Sequence, residues 1–154
     1  MKFQIICIGK TRQQYLLDGE AEYQKRLKPH CQLSLVELPA ASKQSVSERV
    51  MAEGQQQLSK VKPNELLIAL DEKGKDLTSE QFSYFLQDKA LNGCGSVAFV
   101  LGGPYGLSPA VKKRADLTMK MSSMTFTSQM ARFVLVEQLY RAMMIWKGVP
   151  YHKV

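Results

Sequence analysis

The strongest constraint on how this chain folds is the alternation of short apolar runs with longer helix-patterned segments along its whole length. Residues 2–8 read as a strand and 12–28 as a helix. Gln32–Leu38 follows with partial period-two alternation, then a polar helical stretch near 43–61. Glu65–Leu70 is the next strand, and 71–76 reads as a polar loop. A helix begins at about 79, marked by Thr78 with Gln81 three residues later, the pattern of a capping box. Residues 96–101 form a further strand. A short helix opens at Ser108-Pro109, where Ser suits the N-cap and Pro the first helical position. A strand near 117–121 and a last helix near 129–147 complete the series. Such alternation predicts an α/β fold, a mostly parallel sheet flanked by helices on both faces, in a single domain spanning 1–154.

At 154 residues, one hydrophobic core suffices, burying about 70% of the surface that the unfolded chain exposes. No apolar run approaches the ~20 residues needed to cross a bilayer, and the opening Met1–Lys10 has too broken an apolar run for a signal-peptide core. A soluble protein is expected. Cys7, Cys31 and Cys94 form no CxxC pair and leave an odd count, which points to a reducing cytoplasm rather than to a disulfide framework or a zinc site. With only His30 and His152 available, a histidine-rich metal site is not expected; any metal role is carboxylate-based or absent, and no metal ligand is assigned.

Charge is distributed unevenly. Residues 105–154 hold eight Lys or Arg against two acids, Asp116 and Glu137, whereas the first 104 residues hold thirteen bases and twelve acids. A basic surface confined to one third of the chain suits a polyanionic partner. That same third opens on the hinge Gly102-Gly103-Pro104-Tyr105-Gly106, which follows a strand end, where ligands dock in open α/β sheets. The hinge lacks the Lys-Ser/Thr of a P-loop and the spacing of a dinucleotide GxGxxG, so ATP and NAD chemistry are disfavoured. Alone, it reads equally as a close backbone approach to a ligand or as a tight turn into a helix. The stretch Ser122-Ser-Met-Thr-Phe-Thr127 has no acid or base; its hydroxyls and apolar groups suit an adenine and a thioether, or simply fill core space.

The last helix is apolar around most of its circumference, from Met130 through Phe133, Val134 and Tyr140 to Trp146, so it requires cover from more than one direction. A second copy of the chain is the expected cover, with burial inside one monomer as the alternative. Arg132 and Arg141, nine residues apart, fall on opposite sides of that helix and serve different purposes. Arg141 is spaced for an ion pair with Glu137. Arg132, next to the polar loop, is the candidate for a substrate or ligand. In the tail, His152 is a candidate proton acceptor and Lys153 a phosphate contact, against simple exposure of a terminal segment.

Several of these motifs occur together in one known family. Leu101-Gly-Gly-Pro-Tyr-Gly-Leu107, Ser123-Met-Thr-Phe126, Gln129-Met-Ala-Arg132, Glu137-Gln-Leu-Tyr-Arg141 and Pro150-Tyr-His-Lys153 resemble the RlmH family of ribosomal large-subunit RNA methyltransferases, essentially end to end. The resemblance implies a SPOUT-type fold with a C-terminal trefoil knot, working as a homodimer. It also implies S-adenosylmethionine bound by Leu70, Gly102, Gly103 and Ser122, Ser123, Met124, Thr125, Phe126 and Thr127. The implied reaction is methylation of N3 of a pseudouridine in a 23S rRNA stem-loop, on the assembled ribosome. His152 and Arg132 are the expected catalytic residues, and Arg141, Tyr151 and Lys153 the expected substrate contacts. Relatives carry a Pro-His pair in the loop where this chain reads Thr125-Phe126-Thr127-Ser128. Its absence shifts weight to His152, or to catalysis mainly by positioning. The competing readings are a ribosome-associated factor without enzymatic activity and a phosphate-binding enzyme using the helix start at Ser108.

Overall fold

The computed structural model describes residues 1–42 and 45–153. Its elements run β1 (Lys2–Ile8), α1 (Gln14–Leu27), β2 (Gln32–Leu38), α2 (Val46–Ser59), β3 (Leu66–Lys75), α3 (Ser79–Leu91), β4 (Ser96–Leu101), α4 (Pro109–Arg114), β5 (Leu117–Met119) and α5 (Ser128–Lys147). The helical stretch expected near 43–61 is α2; its first two positions, Lys43 and Gln44, lie outside the described residues. All strand pairs are parallel, in the order β2-β1-β4-β3-β5. No helix among the described residues is long and apolar enough to cross a membrane.

Alternate residues of the central strands feed two separate cores, as a sheet covered on both faces requires. Phe3, Ile5, Cys7, Ile68, Val97 and Phe99 pack with α1, α3 and α5 on one face. Ile6, Leu67, Ala69, Ala98 and Val100 pack on the other, with Val111 of α4 and Leu58 of α2. Local signals start the helices where the chain pattern places them. Thr78 and Gln81 form the full capping box, Ser108 caps α4 ahead of Pro109, and Thr127 accepts the Met130 N–H at the start of α5.

The polar segment 71–76, expected as a loop, belongs largely to β3. Beyond Leu70 the strand bulges and then pairs again, Lys75 opposite Met119, with the Lys120 N–H donating to the Lys75 carbonyl at 3.0 Å. Non-local pairing, which hydropathy does not register, makes a strand of exposed residues. It also needs Gly74: a Cβ there would lie 2.6 to 2.7 Å from the Met119 backbone.

The apolar circumference of α5 is covered largely from within this chain. The helix rests on the sheet between α1 and α3, and Gly19 of α1 lets the Phe133 ring approach so closely that a Cβ would stand 2.7 Å from it. Over the outer face of its second half lies the chain's own tail, with the Tyr140 and Tyr151 ring centroids 4.7 Å apart. Every residue of α5 from Gln129 to Trp146 is buried or half-buried.

Candidate active site

Leu70 and Leu101 sit side by side in the sheet, so the carboxyl ends of β3 and β4 open at the same place. Just beyond Leu101 the hinge folds back on itself. Gly106 donates its N–H to the Gly103 carbonyl at 3.1 Å and takes a left-handed φ of 85°. A Cβ on Gly102 would fall 2.5 Å from the Gly106 carbonyl carbon, and one on Gly103 would fall 3.1 Å from Glu53 Oε2. The glycines are demanded by a tight turn, and that turn forms one wall of a cleft.

That cleft has a volume of about 710 Å³, inside the range of small-molecule sites. One side is the end of β3 from Leu70 to Lys73, another the hinge, and the third the segment 121–128 that leads into α5. Of the residues expected around a cofactor, Leu70, Gly102, Gly103, Ser122, Met124, Thr125, Phe126 and Thr127 line it. Ser123 does not; its hydroxyl instead accepts from Lys120 Nζ at 3.1 Å. The third wall is fastened at both ends. Ser122 Oγ accepts the Met124 N–H at 2.9 Å, and Ser128 Oγ donates to the Gly102 carbonyl at 3.3 Å. Met124 is 77% exposed and Phe126 37%, apolar side chains that face solvent along the cleft.

Charged residues also line the cleft. Asp71 Oδ2 lies 2.6 Å from Lys112 Nζ, and Asp71 Oδ1 accepts the Lys73 N–H at 3.0 Å. Burial pushes the Asp71 carboxyl up, but these two hydrogen bonds outweigh it and hold the group below its ordinary range. Sequence reasoning placed Asp71 only at the start of a polar loop. Lys112 lies far along the chain on α4, and nothing in the local pattern joins the two.

The expected catalytic and substrate residues lie elsewhere. Arg132 is buried, its Nε and Nη2 donating to Glu20 at 2.9 and 2.6 Å and its Nη1 to Glu37 at 2.6 Å. Burial alone lowers its affinity for a proton, but the two carboxylates reverse this and raise it well above the ordinary guanidinium value. In this conformation Arg132 presents no free charge to the cleft. The tail docks on α5. Tyr151 Oη donates to Glu137 at 2.8 Å and lies 3.0 Å from Tyr23 Oη. Arg141 pairs with Glu137 at 2.6 Å, as its spacing predicts, and lies over the Tyr151 ring. His152 sits between Arg141 Nη1, 3.1 Å from Nδ1, and Glu80 Oε1, 2.9 Å from Nε2. Arginine only donates, so Nδ1 accepts and Nε2–H faces Glu80, which leaves no free lone pair on the ring. Lys153 is exposed.

Comparison with known proteins follows the same geometry. The family model described as a predicted SPOUT methyltransferase matches residues 1–152. The chain is 42% identical to the ribosomal RNA large subunit methyltransferase H of Streptococcus equi subsp. zooepidemicus and 43% identical to that of Streptococcus agalactiae. Each alignment covers 99% of this chain and 100% of the relative. Among solved structures, a probable methyltransferase from Bordetella pertussis superposes with a TM-score of 0.53 at 14% identity, over 92% of this chain and 95% of that one. A probable methylase family protein from Haemophilus influenzae gives 0.52 at 16%, over 99% and 70%. These two likenesses show a shared fold.

Proposed function

Since the chain belongs to the SPOUT methyltransferase family, we propose that it is an S-adenosylmethionine-dependent methyltransferase of large-subunit ribosomal RNA. The observation that carries this reading is the cleft itself: two parallel strand ends, a glycine turn and a hydroxyl-rich loop whose Met124 and Phe126 stay exposed beside it. These residues suit an amphipathic cofactor. Backbone groups of the hinge and of 122–127 bind its polar edges, Leu70, Met124 and Phe126 its apolar ones, and Ser123 supports the loop through Lys120. Bound there, S-adenosylmethionine supplies an electrophilic methyl group.

The substrate on this reading is N3 of a pseudouridine in 23S rRNA, methylated on the assembled ribosome in the cytoplasm. N3 has to lose its proton, and His152 is the acceptor. Because both ring nitrogens are engaged by Arg141 and Glu80, the tail has to leave that seat before it acts. The protein works as a homodimer in which one protomer's tail faces the other's cleft. The exposed Met124 and Phe126, with half-buried Met130, Phe133 and Val134, supply the apolar contact surface. Lys153 then meets a phosphate, while Arg141 and Tyr151 guide the tail and the substrate. Arg132 is a positioning residue that fixes the start of α5 beside the cleft.

Calorimetry with S-adenosylmethionine and mass mapping of the large-subunit RNA of assembled ribosomes incubated with the enzyme test this reading. Saturable binding and one added methyl on large-subunit RNA are expected. A protein that binds ribosomes but never the methyl donor is a non-enzymatic factor. His152→Ala should lower turnover with RNA affinity retained; near-wild-type methylation would sink the base assignment.

A further inference from the structure

The walls of the cleft differ in charge. Neither the hinge 101–107 nor the segment 121–128 contains a charged residue. Among the described residues, the charged side chains on the cleft are Asp71, Glu72 and Lys73 at the end of β3 and Lys112 of α4, two acids and two bases. A balanced set of this kind disfavours a net anion such as a phosphate and suits a ligand that carries both signs close together.

Within that set Asp71 and Lys112 are in contact, Oδ2 to Nζ 2.6 Å, whereas Glu72 and Lys73 are exposed. The two partners are not held alike. Asp71 has a side chain only 12% exposed, and its other oxygen accepts the Lys73 N–H at 3.0 Å, so the backbone holds the carboxylate in place even without Lys112. Lys112 is 44% exposed on a flexible stem, and an ion pair with so exposed a member opens at small cost. A fixed acid and a movable base therefore stand side by side in the cleft. Each can exchange its partner for the opposite charge of one α-amino acid head, which leaves no charge unpaired before or after.

We propose that Asp71 and Lys112 form the subsite for the amino-acid end of the methyl donor, Asp71 accepting from its ammonium and Lys112 donating to its carboxylate. The subsite rests on the reading of the cleft as an S-adenosylmethionine site and deepens it. It divides the cleft by charge, with the adenosine left to the uncharged hinge and loop.

Calorimetry on the full chain compares S-adenosylmethionine, S-adenosylhomocysteine, decarboxylated S-adenosylmethionine and methylthioadenosine, which lacks the amino-acid end. Asp71→Asn and Lys112→Gln should each bind S-adenosylmethionine and S-adenosylhomocysteine about tenfold more weakly, with methylthioadenosine affinity unchanged. With the decarboxylated donor Asp71→Asn should keep its loss, while Lys112→Gln should bind as the wild type does. If Asp71→Asn fails to fold, Lys112→Gln carries the test alone, since its side chain is half in solvent. A pair that only braces the fold weakens every ligand alike, methylthioadenosine included, and that result overturns the proposal. A loss by Asp71→Asn confined to the sulfonium ligands, with S-adenosylhomocysteine unaffected, also overturns it, by assigning the acid to the sulfonium. If the wild type binds none of these ligands, the cofactor reading fails and the subsite falls with it. Tight binding by the wild type that both variants retain refutes the subsite alone.

Discussion

Arg132 shows how one buried side chain ties three elements together beside a cleft. Its three donors join Glu20 on α1, Glu37 on β2 and the first turns of α5, three elements that meet beside the cleft. Replacing it with Met removes the charge and strands a carboxylate that is 2% exposed, which should cost about 3–5 kcal/mol in urea denaturation. The Asp71–Lys112 pair makes a pH prediction. A carboxyl whose folded pKa is depressed contributes stability above its unfolded pKa and loses it as pH falls through the folded value. Lys112→Ala should therefore raise the Asp71 pKa, visible in an NMR titration of its carboxyl carbon, and move the acid loss of stability to higher pH. Cys7 and Cys31, pushed up to about 11 by burial, should resist alkylation in the native state at pH 8, while half-buried Cys94 reacts first. Modification of Cys7 before Cys94, read by peptide mass analysis, would contradict the packing described.

At the scale of elements, the features legible in the chain were those with local causes. Thr78 with Gln81, Ser108 with Pro109 and the apolar run of β4 each carry their instruction within a few residues, and each element forms where its pattern places it. The extension of β3 was not legible, because Lys75 becomes strand only by pairing with Met119 across the bulge. The same reason hid the ion pairs of Arg132, whose partner Glu20 is 112 positions away. Of the cleft, the glycine turn and the loop 122–127 were readable as motifs, whereas Asp71 and Lys112 become neighbours only in the folded chain. Thr127→Ala should weaken α5 by about 1 kcal/mol through loss of its cap, and it should loosen the third wall of the cleft. Lower thermal stability with weaker methyl-donor binding is the expected pair of results.

For the whole molecule, charge and cover decide the partners. The basic excess of residues 105–154 is partly neutralised where Arg114, Arg132 and Arg141 meet acids of this chain. Among the described residues, Lys113, Lys120 and Lys153, with Lys10 and Arg12, keep their charge without an ion pair and stand ready for a polyanion. A chain shortened by its last four residues should lose the hydrogen bonds of Tyr151 and His152 and uncover Tyr140. A lower melting temperature is expected, together with loss of methylation while methyl-donor affinity persists. Unaltered turnover would remove the tail from the mechanism. The strand order has a consequence in time as well as in space. β1 pairs with β4, α1 packs on α5, and β5 closes the sheet beside β3, so the first-made segments are completed by the last-made. During synthesis the nascent chain holds no finished cleft until its final helix clears the ribosome. Folding then has to draw together ends separated by almost the entire polymer, the topology associated with slow collapse. A cleft so built takes its shape only once β3, β4 and the start of α5 have all been made and brought together.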